Sequence, residues 1–213
     1  MAVPQPDDGP HILKFPSPEP KRTRPKGKVL PVPLRWPDAM NLLAVCLREQ
    51  EIARGSRRLA AKRDYIVLHL GLYLGLRCSE ICHIRCEDFD FVERTARVNQ
   101  GKGAKDRVVP IPLAAMPVLE AWAKGRHGLF LPNRRCKVFN PRCIHNRVQR
   151  LGIRAGLPWL HPHSMRHGAA LRLMTTGAHI RKIQAFLGHR DLRCTQIYLD
   201  VLPLDLREDC DRM

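Results

Sequence analysis

Phe89-Asp90-Phe91-Val92, Thr95-Ala96-Arg97-Val98 and Arg107-Val108-Val109-Pro110-Ile111 are three short runs dominated by β-branched and aromatic residues. A turn separates the first two. Gly101-Lys102-Gly103-Ala104-Lys105-Asp106, whose glycines suit a tight hairpin, joins the second to the third. This is the one convincing β region of the chain, and helical spacing extends from it on both sides. Upstream, Met40, Leu42, Leu43, Val45, Cys46 and Leu47 form a broad apolar face behind Asp38, a residue able to cap a helix. After a Gly55-Ser56 break, residues 58–74 read as a second helix ending at Gly75, and residues 78–84 as a short third. Downstream, residues 113–124, 141–155, 163–176, 179–187 and 192–199 read as helices, with glycines at 125, 156, 177 and 188 marking ends. The predicted fold is mainly α with a small antiparallel β-sheet and no internal repeat.

Composition narrows the class. The 213 residues can enclose one good core, and 44% hydrophobic content suits a globular domain. Thirty-seven Lys and Arg against 20 acidic residues give a net charge of +17, which points to a polyanionic partner, most simply nucleic acid. Residues 1–35 hold nine of the 18 prolines and little apolar periodicity, so they read as a disordered basic arm. Within it, Lys21-Arg22-Thr23-Arg24-Pro25-Lys26-Gly27-Lys28 could track along phosphates. Residues 36–200 form the expected folded domain, and residues 201–213 a tail. No apolar run is long enough for a membrane span, and no signal peptide is evident. A cytoplasmic, nucleoid-associated protein is expected, with its eight Cys as thiols.

Four clusters carry the candidate chemistry: Gly75-Leu76-Arg77-Cys78-Ser79-Glu80, Gly101-Lys102-Gly103, His163-Ser164-Met165-Arg166-His167, and Leu187-Gly188-His189 followed by Thr195 and Tyr198. Two Arg, two His, one Lys and one Tyr can break a phosphodiester without metal. Planar guanidinium groups neutralise phosphate oxygens in pairs. A Tyr attacks phosphorus as a covalent nucleophile, and Lys and His move protons. Any one of these residues alone would be unremarkable surface or packing material; four clusters in series are not.

Together the clusters resemble the tyrosine recombinase (phage integrase) family over roughly residues 58–200. The resemblance implies that family's catalytic-domain fold and six catalytic residues. Arg77 and Arg166 would clamp the phosphate, and Lys102 would protonate the departing 5′-oxygen, with Lys105 as its nearby competitor. His163 would accept a proton or a hydrogen bond, and His189 would bond the phosphate in the transition state. Tyr198 would attack, leaving a 3′-phosphotyrosyl enzyme and a free 5′-hydroxyl. Glu80 would orient the local structure. The resemblance implies site-specific recombination on double-stranded DNA, with no cofactor and no metal, by a homotetramer assembled on DNA, with an accessory DNA-bending protein as a candidate partner. Most members carry an N-terminal core-binding domain. Here only a short arm precedes the first predicted helix, a layout resembling the fimbrial switch invertases. Val201-Leu202-Pro203-Leu204 is a candidate for docking on a neighbouring protomer.

Lys105, Arg107, Arg142, Arg147 and Arg150 are the further candidates for DNA contact, the last three spaced along one helix. His163 and His167 stand at i, i+4, but the Glu of a His-Glu-x-x-His zinc motif is missing and Arg166 lies between them. Cys78, Cys82 and Cys86 read as core packing rather than a thiolate site, since their spacing is unlike a zinc knuckle. Two other functions share the same residues. One is a type IB topoisomerase, whose chemistry is identical, and the other is a DNA-binding regulator that does not cleave.

Overall fold

A computed structural model describes residues 34–99, 106–133, 135 and 137–188. Its elements in chain order are α1 (Trp36–Ile52), α2 (Gly55–Leu72), α3 (Cys78–His83), a 3-10 turn (Cys86–Asp88), β1 (Phe89–Asp90), β2 (Thr95–Val98), β3 (Arg107–Pro110), α4 (Met116–Ala123), α5 (Pro141–Arg154), α6 (Pro162–Thr175) and α7 (Ile180–Leu187). The strands form one antiparallel sheet in the order β1-β2-β3, so the predicted mainly helical fold with a small sheet is the observed one. The expected helix over 192–199, the arm and the tail lie outside the described residues.

The second half of α2 is the centre of the molecule. Ile66 to Leu72 are all buried, as a helix surrounded on every side requires. Helix α6 crosses it closely: a Cβ on Gly71 would stand 2.5 Å from Met165 Cε. Helix α1 covers another side with Ala39, Leu42, Leu43 and Cys46. Cys82 is buried, with Cys78 and Cys86 packed against the same core, in keeping with the packing role expected of them.

Three helix starts differ from the sequence reading. Helix α1 begins at Trp36 with Pro37 in its first turn, so Asp38 lies inside that turn and is not the cap. Pro favours the first helical turn, and an acidic residue there complements the helix dipole. Helix α2 begins at Gly55, where the sequence predicts a break. Helix α4 starts only at Met116, because Pro117 is accommodated in the first turn and not further in.

In the sheet, Val98 pairs with Arg107, Ala96 with Val109 and Thr95 with Pro110. Alternation then buries Arg107 and Val109 while Val108 and Pro110 face outward. The first hairpin turns on Asp90, whose Oδ1 accepts from the N–H groups of Val92 (3.0 Å) and Glu93 (2.8 Å).

Candidate active site

The turn that ends α2 delivers Arg77. Gly75 adopts φ +62°, and the Leu76 N–H closes back on the Leu70 carbonyl at 3.1 Å, a left-handed helix end. A Cβ at Gly75 would stand 2.8 Å from Phe186 Cε1, so glycine is needed for close approach as well as for its backbone angle. Arg77 is then the N-cap of α3. Glu80, three residues on, reaches back to accept from the Arg77 N–H at 2.8 Å.

Glu80 is the hub of the site. Its Oε1 accepts from Arg77 Nη1 at 2.8 Å and from Arg107 Nη1 at 2.8 Å. Its Oε2 accepts from the Arg77 N–H and from Arg107 Nη2 at 2.9 Å, and Arg166 Nη1 stands 3.9 Å away. Burial works to raise its pKa. The hydrogen bonds and charge of Arg107, the Arg77 N–H and the charge of Arg166 overcome it, and the carboxyl falls to about 2.

Arg166 arrives from α6, whose start is fixed by a reciprocal cap. His161 Nδ1 accepts from the Ser164 N–H (3.1 Å), and Ser164 Oγ accepts from the His161 N–H (2.9 Å). This places His163 in the first turn and Arg166 one turn further in. Arg166 is 1% exposed; Nη1 donates to the Gly75 carbonyl at 2.6 Å and Nη2 to the Leu187 carbonyl. Arg77 Nη2 donates to the neighbouring Gly188 carbonyl at 3.0 Å. The two Arg, far apart in sequence, therefore meet at the left-handed end of α7, where Gly188 has φ +64°. The Arg77 side chain keeps 37% of its surface in solvent, whereas Arg166 is buried against the carbonyls of Gly75 and Leu187.

His163 is exposed at the edge of this cluster, its ring 4.2 Å from that of His167 in an edge-to-face contact. Partial desolvation lowers its pKa, helped by the positive charges of Arg166, His161 and Arg77. It is therefore neutral at neutral pH and able to accept a proton. Lys102, Lys105, His189, Thr195 and Tyr198 lie outside the described residues.

The expected DNA-contacting arginines divide. Arg142 and Arg150 are exposed on α5. Arg147 is only partly exposed, ion-paired with Asp64 on α2 and lying 5.5 Å over the Phe139 ring. Arg107 corrects the sequence reading: it is 9% exposed, its fork is on Glu80, and its Nε donates to the Phe186 carbonyl at 2.9 Å. Its charge is committed inside the protein rather than offered to DNA. The signal for this was the period-2 pattern, which puts Arg107 on the inward face with Val109.

The model of the phage integrase family matches residues 47–204. Similar proteins include the tyrosine recombinase XerA of Pyrococcus horikoshii (strain OT-3), 34% identical over 185 residues, 84% of this chain and 65% of that protein. The tyrosine recombinase XerC of Pseudomonas aeruginosa (strain PAO1) is 39% identical over 144 residues, 65% of this chain and 47% of the relative. The chain thus spans less than two thirds of the length of these curated relatives. The crystal structure of a XerA recombinase superposes with a TM-score of 0.72 at 27% identity, over 86% of this chain and 65% of that one. The XerH site-specific recombinase bound to its palindromic difH substrate after cleavage shares the fold, with a TM-score of 0.70 at 21% identity over 85% and 53% of the two chains.

Proposed function

The chain belongs to the phage integrase family, and on that premise we propose that it is a site-specific DNA recombinase working through a phosphotyrosine at Tyr198. Tyr198 Oη attacks the phosphorus of one strand, giving its proton to His163. The bond from phosphorus to the 5′-oxygen breaks, and that oxygen takes a proton from Lys102. The products are a 3′-phosphotyrosyl enzyme and a free 5′-hydroxyl. Attack by a 5′-hydroxyl from the other duplex reverses the step, so the energy of the broken backbone is kept in the covalent bond. Arg77 and Arg166 neutralise the non-bridging oxygens, and His189 adds a hydrogen bond in the transition state.

The observation that carries this reading is the convergence of Arg77 and Arg166 on the Gly188 end of α7, with His163 at the edge. The Gly188 end leads directly into His189, and Tyr198 follows nine residues later. A net charge of +17 and the exposed Arg142 and Arg150 favour double-stranded DNA as the substrate, with Lys105 as a further contact beside Lys102. Exchange between two sites requires four nucleophiles, hence a homotetramer on DNA, and an accessory bending protein could bring the sites together. Among the described residues no helix is long and apolar enough to cross a membrane; the nucleoid is the proposed place of work.

The test incubates wild type and Tyr198→Phe, in EDTA, with fragments of the native flanking DNA, and captures covalent protein–DNA adducts for sequencing. Adducts with wild type alone support the reading and give the site. Retarded complexes that never become covalent, across the whole flanking region, would replace it with a non-cleaving regulator. Plasmid relaxation without recombinant product would favour a topoisomerase.

A further inference from the structure

Arg107 stands where an apolar side chain would be expected. Its inward neighbours on the strands are Val98 and Val109, both buried, yet a guanidinium with a side chain 7% exposed occupies the position. Burying that charge is unfavourable until its partners compensate. What it supplies in return is geometry. The Glu80 carboxylate accepts four hydrogen bonds, two on each oxygen: one on each comes from the Arg107 fork, and one on each from Arg77. Arg107 Nε meanwhile donates to the Phe186 carbonyl, in the last turn of α7. Arg107 also pairs with Val98 in the β2–β3 ladder.

We infer that Arg107 is a positioning residue for strand cleavage: it locks the plane of Glu80, Glu80 aims Arg77 at the phosphate, and the Phe186 bond sets the end of α7 against both. This rests on the recombinase reading given above. Two parallel N–H···O bonds fix a carboxylate in rotation, which the point charge of a Lys cannot do. Arg107→Lys keeps the charge balance and loses the fork, so it separates positioning from folding. Arg107→Met removes both and is the harsher control.

The experiment uses the full chain and the DNA fragment on which wild type forms adducts, made with either a normal phosphate or a neutral methylphosphonate at the scissile position. The methylphosphonate lacks the non-bridging charge that Arg77 neutralises, so a defect of aim should shrink on it. For Arg107→Lys we expect single-turnover adduct formation on the phosphodiester to fall by about 100-fold, the scale of a misplaced catalytic group, with DNA affinity within about 2-fold. On the methylphosphonate the loss should be under about 10-fold, since the misaimed interaction is no longer needed. Equal losses on both substrates, or none on either, would overturn the inference. A second readout needs no catalysis: the Arg77 Nε–H resonance should shift and broaden in Arg107→Lys while the amide spectrum of the core is retained. An unchanged Arg77 signal overturns the inference even if wild type forms no adduct, and that last result would count separately against the recombinase reading.

Discussion

Glu80 and Asp64 are both carboxylates withdrawn from water beside arginine, and they answer burial in opposite directions. Glu80 receives four hydrogen bonds from two arginines and sits at about 2. Asp64 is raised above its ordinary value: burial outweighs its hydrogen bond and charge from Arg147 and the more distant Arg154 and Arg150. One arginine beside a carboxylate does not offset desolvation; a saturated set of donors does. The Glu80 region is accordingly a fixed scaffold joining α3, β3, α6 and α7. Around Asp64, an open groove of about 1120 Å³ is rimmed by Arg54, Arg57, Arg147, Arg150 and Arg154, and its ion pairs reach the surface, as Arg154 to Glu49 at 2.5 Å does.

The largest expected effect is on the Glu80 side. Glu80→Gln leaves Arg107 buried without its counter-ion and should cost about 3–5 kcal/mol in urea unfolding. The same variant should change the acid response. A carboxyl held at about 2 against an ordinary 4.5 adds stability that is present in full above pH 4.5 and disappears as pH falls towards 2. That shift corresponds to roughly 3 kcal/mol, which wild type should lose across this window and Glu80→Gln should not. A variant with an unchanged acid limb would break the comparison.

Next in size is Gly75→Ala. It forces an L side chain to φ +62° and against Phe186, at an expected cost of about 2–3 kcal/mol in thermal or denaturant unfolding. Asp64→Asn should stay within about 1 kcal/mol of wild type at neutral pH, because the ionised form is already disfavoured by burial. Its sign in acid is opposite to that of Glu80: a raised carboxyl pKa favours the folded state as pH falls through it. The smallest stability effect belongs to Arg150→Ala, expected within about 0.5 kcal/mol. If α5 contacts phosphate, the same change should lower the salt slope of DNA binding by about 1, measured by titration across ionic strengths.

Much of this was legible in the sequence. Alternation over 89–111 gave the sheet, and apolar spacing gave the helices, because both depend on local geometry. The starts that differ, at Trp36, Gly55 and Met116, are places where a proline or a glycine opens the helix. In the site, Arg77, His163 and Arg166 stand out because each sits in a motif at the start of a helix. The role of Arg107 did not, since a basic hairpin residue in a basic chain reads as a DNA contact.

By itself, then, the sequence determined the order and kind of the elements, the residue types able to break a phosphodiester, and the motifs that carry the family. Only the tertiary structure decided which arginines face water and which face Glu80. The fate of a guanidinium depends on carboxylates and carbonyls brought to it from other elements. Glu80, Gly75, Phe186 and Leu187 become neighbours of Arg107 and Arg166 only when α2, α3 and α7 have packed.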